Sequence, residues 1–432
     1  MTAGLALLAS VIALAVPALT EPAMAQDTTR TGVHIGLNYQ PGTKPGVLVL
    51  PIAGAGGDSA HTIIQRDLDF ADAMNVITGI DQGLGDAAVN FPLVEKLGAA
   101  AVVQASLAPA SLHVIVYDVA KKRVLSTKDF AMPATPGNAD WRMVVHDASD
   151  WVQQAITGSH GVAATRIAFI RDGQIYITDT DGADTRPVTQ KGGGPLSPQW
   201  HPTGRYLAYS FFAPRGTQIA VLDLTTGSAR ALSATPTGLN STPAFTPDGN
   251  SIVYTHGDEN GTDLYLVPAF SSDPARRITV GHGTDNTQPT FSPDGRRLAF
   301  TSGRSGHPEV YIVNIDGTEP DLLTPFQFGD DIYRASPNWS PDGRLVAFES
   351  RVNGRFQIET IALRDRTVKQ LTSDGINEDP KWAPDSRHLV FTSNRSGVRQ
   401  LFILDSESGR TRQLTLGGPA RLSAWSRSLG SP

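Results

Sequence analysis

Cysteine is absent from the 432-residue chain, which excludes disulfides, thiolate metal sites and a cysteine nucleophile together. Lys and Arg form no cluster and the net charge is −6, so the electrostatic footprint of a nucleic-acid binder is missing and no nucleic-acid partner is expected. The ten histidines are scattered singly, with no HxxxH or HExxH spacing, and predict no metal site. Nothing in the sequence points to a bound cofactor. Long apolar runs are also lacking: the stretch from Leu5 to Val16 falls short of the ~20 residues a membrane span needs. Aromatics amount to 7%, whereas glycine numbers 42 and proline 30, the balance of a turn-dense β protein with few long helices.

The apolar run is followed by Pro17 and then by Ala23-Met24-Ala25 ahead of Gln26-Asp27. That small-x-small pattern reads as a signal-peptidase site, so residues 1–25 are expected to be a cleaved secretory signal, although no Lys or Arg precedes the run. No membrane span is expected after its removal.

An internal repeat fills the second part of the chain. Six aromatic residues, Trp200, Phe245, Phe291, Trp339, Trp382 and Trp425, recur at spacings of 45, 46, 48, 43 and 43 residues. The fullest version of the sentence around them is SPNWSPDGRLVAFES, from Ser336 to Ser350. Each copy parses into four strands. The aromatic sits in a short first strand, a PDG turn follows because proline presets φ and glycine accepts what other residues resist, and an alternating strand such as Leu345-Val346-Ala347-Phe348 comes next. A third strand resembles Val310-Tyr311-Ile312-Val313, and a fourth ends in Leu323-Thr324 or its equivalent. Four strands per repeat of this length is the period of a propeller blade. Arg166 to Thr189 supplies strands two to four of a blade without a first strand, and Arg421 to Ser426 supplies a first strand with nothing after it. Joined, they close a six-bladed β-propeller and leave no open sheet edge; a monomer is expected. The Trp is followed by Ser or Ala and Pro rather than Asp, which makes this a WSPDG-type repeat and not a WD repeat.

Ahead of the propeller, residues 41–160 read as a small α/β domain. Val47-Leu48-Val49-Leu50 forms a buried strand, and Ile63, Ile64, Leu68 and Ala71 share one face of a helix capped by Asp58 or Ser59. A short helix ends at Gly98, an apolar strand covers Ala99 to Val103, and Leu112–Val116 with Arg123–Phe130 form a hairpin. Trp141, Val144, Val145, Ala148, Val152, Ala155 and Ile156 make a helical stripe stopped near Gly158. Residues 26–40 are an arm in which Val33, Ile35 and Leu37 alternate like a strand without a partner.

The VHIGL arm, the GVLVLPI strand, LGAAAVV at Leu97–Val103, TRIAFI at Thr165–Ile170 and NTQPTF at Asn286–Phe291, together with the repeat, resemble the TolB family of periplasmic Tol-Pal components over nearly the whole mature chain. The resemblance implies an adaptor in the periplasm that grips the lipoprotein Pal with one mouth of the propeller (161–432) and engages TolA through the arm, at Val33, His34, Ile35 and Leu37. Such a system supports outer-membrane integrity and constriction during cell division. The Pal site is expected in the polar segments ahead of each first strand, gathered on one rim: Leu196, Ser197, Asn240, Thr242, Asn286, Thr287, Gln288, Arg334, Ser336, Asn377, Glu378, Asp379 and Leu422. Loops positioned by a rigid scaffold are where binding concentrates.

Two other classes compete. A hydrolase-associated propeller needs a GxSxG nucleophile elbow on a following α/β domain; Gly303-Arg304-Ser305-Gly306 lacks the fifth glycine, and no catalytic residue is expected. A propeller binding a small molecule or glycan needs an aromatic-lined pocket, and the polar rim segments contain no aromatic. Asp179-Thr180-Asp181-Gly182 resembles the start of a calcium loop but lacks the remaining ligands, and reads as a hairpin turn.

Overall fold

In the computed structural model, the described residues are 44–79, 88–232, 237–281, 283–325 and 333–430. The expected signal, residues 1–25, and the expected arm with Val33, His34, Ile35 and Leu37 lie outside them.

The α/β part runs β1 (Gly46–Val49), α1 (Gly57–Phe70), β2 (Asn75–Ile77), α2 (Phe91–Lys96), β3 (Ala101–Ala108), β4 (Ser111–Asp118), β5 (Arg123–Ala131) and α3 (Ala139–Thr157). One five-stranded sheet has the order β2-β1-β3-β4-β5, with β1 parallel to both neighbours and the rest antiparallel. The apolar stripes of α1 and α3 bury Ile64, Leu68, Trp141, Val145 and Val152 against Val47, Val103, Leu112 and Val114. The expected cap of α1 differs: Gly56 occupies that position with φ of 88°, without a side-chain cap, and Asp58 sits in the first turn. There its charge still opposes the positive end of the helix dipole. Asn138 caps α3 through the Trp141 N–H (2.8 Å), and Gly158 ends it at a φ of 77°.

The propeller has six four-stranded sheets. Blade 1 joins Arg421–Trp425 to Arg166–Arg171, Gln174–Asp179 and Arg186–Pro187. Blade 2 comprises Leu196–Trp200, Tyr206–Ala213, Gly216–Asp223 and Ala229–Ala231; blade 3, Leu239–Phe245, Ser251–Asp258, Gly261–Pro268 and Arg276–Arg277. Blade 4 comprises Asn286–Phe291, Arg297–Ser302, Glu309–Asn314 and Asp321–Leu322; blade 5, Arg334–Trp339, Leu345–Val352, Arg355–Ala362 and Val368–Gln370. Blade 6 ends the series with Asn377–Trp382, His388–Ser393, Gln400–Asp405 and Thr411–Gln413. The expected closure is therefore present: Arg421 pairs with Ile170 and Trp425 with Ile167, while the Trp425 indole donates to Thr165 Oγ1 (2.7 Å) and the Arg166 N–H to Ser426 Oγ (2.9 Å).

The recurrent apolar-Thr ending has a mechanical reason. The hydroxyl of Thr189, Thr279, Thr324, Thr372 and Thr415 accepts the N–H of Ile175, Leu264, Val310, Ile358 and Leu401, fastening the outer end of the blade to its third strand. These are buried N–H groups that would otherwise be costly to leave unpaired.

Antiparallel order puts the turns between strands two and three, and the links between blades, on one face. The PDG turns and the turns between strands three and four fall on the other. The α/β part contacts this second face at blades 1 and 6. Arg66 and Arg142 both pair with Asp181, Arg410 holds Asp69 (2.7 Å), and Arg412 lies 3.8 Å over the Phe70 ring while donating to the Thr180 carbonyl. Burial pushes the Arg412 guanidinium down to about 9. Asp179-Thr180-Asp181-Gly182 is thus a hairpin turn serving as a docking knob. His146 Nε2 comes within 4.0 Å of Asp179 and 3.7 Å of Asp181, but those carboxylates already carry Arg142, Arg166 and Arg66. The cluster is ion-paired across the junction, with little negative charge left to draw a cation.

Candidate binding face and channel

Each first strand contains one residue with a left-handed backbone: Ser197 (φ 49°), Thr242 (46°), Gln288 (54°), Ser336 (54°), Asp379 (56°) and Leu422 (52°). Such a φ costs a non-glycine residue roughly 1–2 kcal/mol, and here it recurs once per blade. The cause is a β-bulge: pairing with the second strand slips around this residue in every blade. The bulge re-aims one side chain per blade. All six line one narrow cavity of about 60 Å³ on the axis.

The ring is wired together on one side. Gln288 Nε2 donates to Ser336 Oγ (2.8 Å), the Ser336 N–H returns to Gln288 Oε1 (3.0 Å), and Ser336 Oγ reaches Asp379 Oδ1 at 3.3 Å. The Asp379 N–H donates to Glu349 (2.9 Å). Burial, reinforced by Asp379 and Glu378, pushes the Glu349 carboxyl up to about 8. Asp379 is likewise raised by burial, and the Lys381 ammonium beside them is lowered by it.

The bulge also explains where the expected rim departs from the structure. The polar segments do not precede the first strands; they are part of them, because the strand continues past the kink. Two residues before the left-handed position, Asn240, Asn286 and Asn377 are fully buried rather than solvated. Each bridges to the preceding blade: Asn240 to Thr217, Asn286 to Thr262 and Asp263, Asn377 to Gln357. Arg334, at the same position in blade 5, pairs with the fully buried Glu309 (3.2 Å) and donates to the Pro325 carbonyl. These four side chains cement the ring. Leu196, Ser197, Thr242, Thr287, Gln288, Glu378, Asp379 and Leu422 are partly exposed, and Ser336 is buried. Glu378 pairs with Arg399 at 3.0 Å.

A feature that the sequence reading missed surrounds this mouth. Among the described residues, Phe212, Leu239, Val280, Tyr333, Val398 and Leu416 are large apolar side chains left exposed, by 37% to 75%. Every one lies in or beside a turn between strands two and three, or in or beside a link between blades, so all share the face opposite the α/β part. Phe270 is their counterpart on the PDG face. Their spacing in sequence shows no periodicity, so only the blade topology assembles them.

The opposite mouth is built differently. A cavity of about 500 Å³ is walled by Trp200, Phe245, Phe291, Trp339 and Trp425, with prolines of the PDG-type turns around it. The six repeat aromatics, expected to be blade core, are more than 90% buried, and all but Trp382 line this cavity with what remains. Gly303-Arg304-Ser305-Gly306 is a turn between strands; Arg304 donates to Asn286 Oδ1 (3.1 Å) and its guanidinium lies 4.9 Å from the Tyr311 ring centre. No helix among the described residues is long and apolar enough to cross a membrane.

Comparison with known proteins agrees with this geometry. The family model described as "TolB beta propeller domain" matches residues 153–429. A Tol-Pal system protein TolB of Gluconobacter oxydans is 28% identical over 253 residues, covering 56% of this chain and 54% of that protein. One from Chromobacterium violaceum is 28% identical over 204 residues, or 44% and 47%. The chain thus spans about half the length of the curated relatives it matches. The crystal structure of TolB from Acinetobacter baumannii shares the fold, with a TM-score of 0.77 at 24% identity over 90% of this chain and 98% of that one. With its six blades, their closure and a family match over most of its length, the chain belongs to the TolB β-propeller family.

Proposed function

We propose that this protein is the periplasmic adaptor of a Tol-Pal system, holding Pal on the propeller face opposite the α/β part and engaging TolA through the arm at residues 26–40. The reading is carried by the apolar collar, Phe212, Leu239, Val280, Tyr333, Val398 and Leu416, around a polar mouth. Exposed apolar groups gathered on one face mark protein contact surfaces, and polar groups at the mouth add choice of partner. The names of the curated relatives and the signal at residues 1–25 support the Tol-Pal assignment and the compartment. Support for outer-membrane integrity and constriction during division follows from the same assignment. The arm, with alternating Val33, Ile35 and Leu37, suits addition to a sheet edge of TolA. Titration of the mature chain with Pal from the same cell tests the reading: saturable binding that survives deletion of residues 26–40, with TolA capture lost, is expected. Absence of Pal binding contradicts it.

A second reading is favoured by the aromatic cavity at the opposite mouth, whose ~500 Å³ falls within the range of small-ligand sites. A glycan or other ring compound bound there would change tryptophan fluorescence; no change with a panel of sugars removes this reading.

A further inference from the structure

Six similar blades offer a partner six similar rotations, and the side-chain bridge between blades is lost at two neighbouring positions. The asparagine that bridges neighbouring blades is replaced by Pro195 in blade 2 and Ala420 in blade 1. Blade 1 also lacks the proline that follows the left-handed residue in the other five, carrying Ser423 instead. Neither Pro195 nor Ala420 has a side chain able to hydrogen-bond across the gap. A cleft of about 400 Å³ opens between blades 1 and 2, on the collar face.

The cleft is lined by Arg171, Arg399 and Arg421 with one carboxylate, Asp172, and by Phe212, which is 64% exposed. In a chain of net charge −6, this spot is positive. Glu378 offsets Arg399, but Arg421 is exposed and forms no ion pair with a described residue. Arg171 is held in place: its guanidinium lies 5.1 Å and 5.7 Å from the ring centres of Phe169 and Tyr176, and it donates to the Leu416 carbonyl at 3.0 Å. A guanidinium positioned before binding loses less freedom when it meets a carboxylate. Gly194 lets Phe212 lie against the backbone, since a Cβ there would come within 2.7 Å of the ring.

We propose that this cleft is the anchoring subsite of the docking face: it takes an acidic side chain flanked by an aromatic or aliphatic residue from a loop of the protein partner. The carboxylate meets Arg421 and Arg171, the apolar neighbour packs on Phe212, and the pair fixes which of the six rotations the partner adopts. The proposal rests on the reading that Pal docks on this face.

The test compares binding of Pal to the mature chain and to Arg421→Glu, Arg421→Lys and Phe212→Ser, at low and high salt, with thermal melting as the control for folding. Arg421→Glu is expected to weaken Pal on the order of tenfold or more and to flatten the salt dependence; Arg421→Lys should recover much of the loss. One Asp or Glu to Arg substitution on Pal should restore binding to Arg421→Glu. If Arg421→Glu and Phe212→Ser bind as the parent does while Leu239→Asp abolishes binding, Pal docks here without this anchor and the proposal fails alone. If the parent chain does not bind Pal, the docking reading fails and the anchor with it. Arg421-dependent binding of acidic lipid vesicles or self-association, in place of Pal binding, also overturns it.

Discussion

At one end of the channel, six residues with left-handed backbones present Ser197, Thr242, Gln288, Ser336, Asp379 and Leu422 to a cavity of about 60 Å³, inside a collar of exposed apolar groups. At the other end the PDG turns surround an aromatic-walled funnel of about 500 Å³, with the α/β part seated beside it on blades 1 and 6. Both ends come from the same repeats. What differs is which atoms each strand end leaves unpaired: at the PDG end the turn closes on itself, as when Ser340 Oγ and the Arg344 N–H both donate to Asp342. At the collar end the bulges and the links between blades leave side chains pointing outward. A repeat can thus make one face self-sufficient and the other available.

The largest effect is expected from breaking what both ends share. A chain ending at Gly418 loses the first strand of blade 1 and its pairing with Ile167 and Ile170; it should aggregate or melt far below the parent. Trp425→Ala alone should cost about 3–5 kcal/mol, read by chemical denaturation. Unchanged stability in either would contradict closure.

Next, Arg334→Ala separates cement from contact surface. It takes from the fully buried Glu309 its arginine and leaves it the Thr324 hydroxyl and His307 at 3.4 Å, so a loss of about 3 kcal/mol is expected. Phe212→Ser and Val398→Ser, on exposed collar positions, should leave melting within a degree or two, since surface changes stay within about 0.5 kcal/mol, while weakening Pal. A stable Arg334→Ala would show that the ion pair is dispensable.

The polar ring predicts a pH effect whose sign follows from the raised Glu349 carboxyl, near 8 in the fold against an ordinary 4.5. Between those values the folded chain holds a proton that the unfolded chain has released, so this group's contribution makes stability fall as pH rises from about 4.5 to 8. Glu349→Gln should remove that contribution and flatten the melting profile over this window. A variant whose profile slopes as the parent's does would contradict the buried, neutral carboxyl.

The smallest effect belongs to the PDG end. Asp342→Ala removes two turn hydrogen bonds and should cost about 1 kcal/mol with Pal affinity unchanged, as titration would show.

Much of this was legible in the sequence, for local reasons. The blade period is a turn grammar: Pro, Asp and Gly at fixed offsets from an aromatic, and a threonine whose hydroxyl fastens each blade. The closing strand was legible as arithmetic, because a blade without a first strand and a first strand without a blade must meet. The rim was half legible. Polar residues ahead of each aromatic were visible, but not that a bulge folds them into the strand and buries Asn240, Asn286 and Asn377 between blades. A buried, bridging asparagine and a solvated one have the same letter. The collar was not legible, because Phe212, Val280 and Leu416 share no spacing and meet only through the topology. The short β2 was missed too; Asn75–Ile77 is too brief to show alternation.

The central claim, that the collar end and not the PDG end receives Pal, is tested most directly by placing a photo-crosslinking residue at Val398 or Leu416 on one face and at Asp248 or Phe270 on the other. Crosslinks to Pal from Val398 and Leu416 alone are the predicted result; crosslinks from Asp248 or Phe270 instead would put the partner on the opposite mouth and contradict the account.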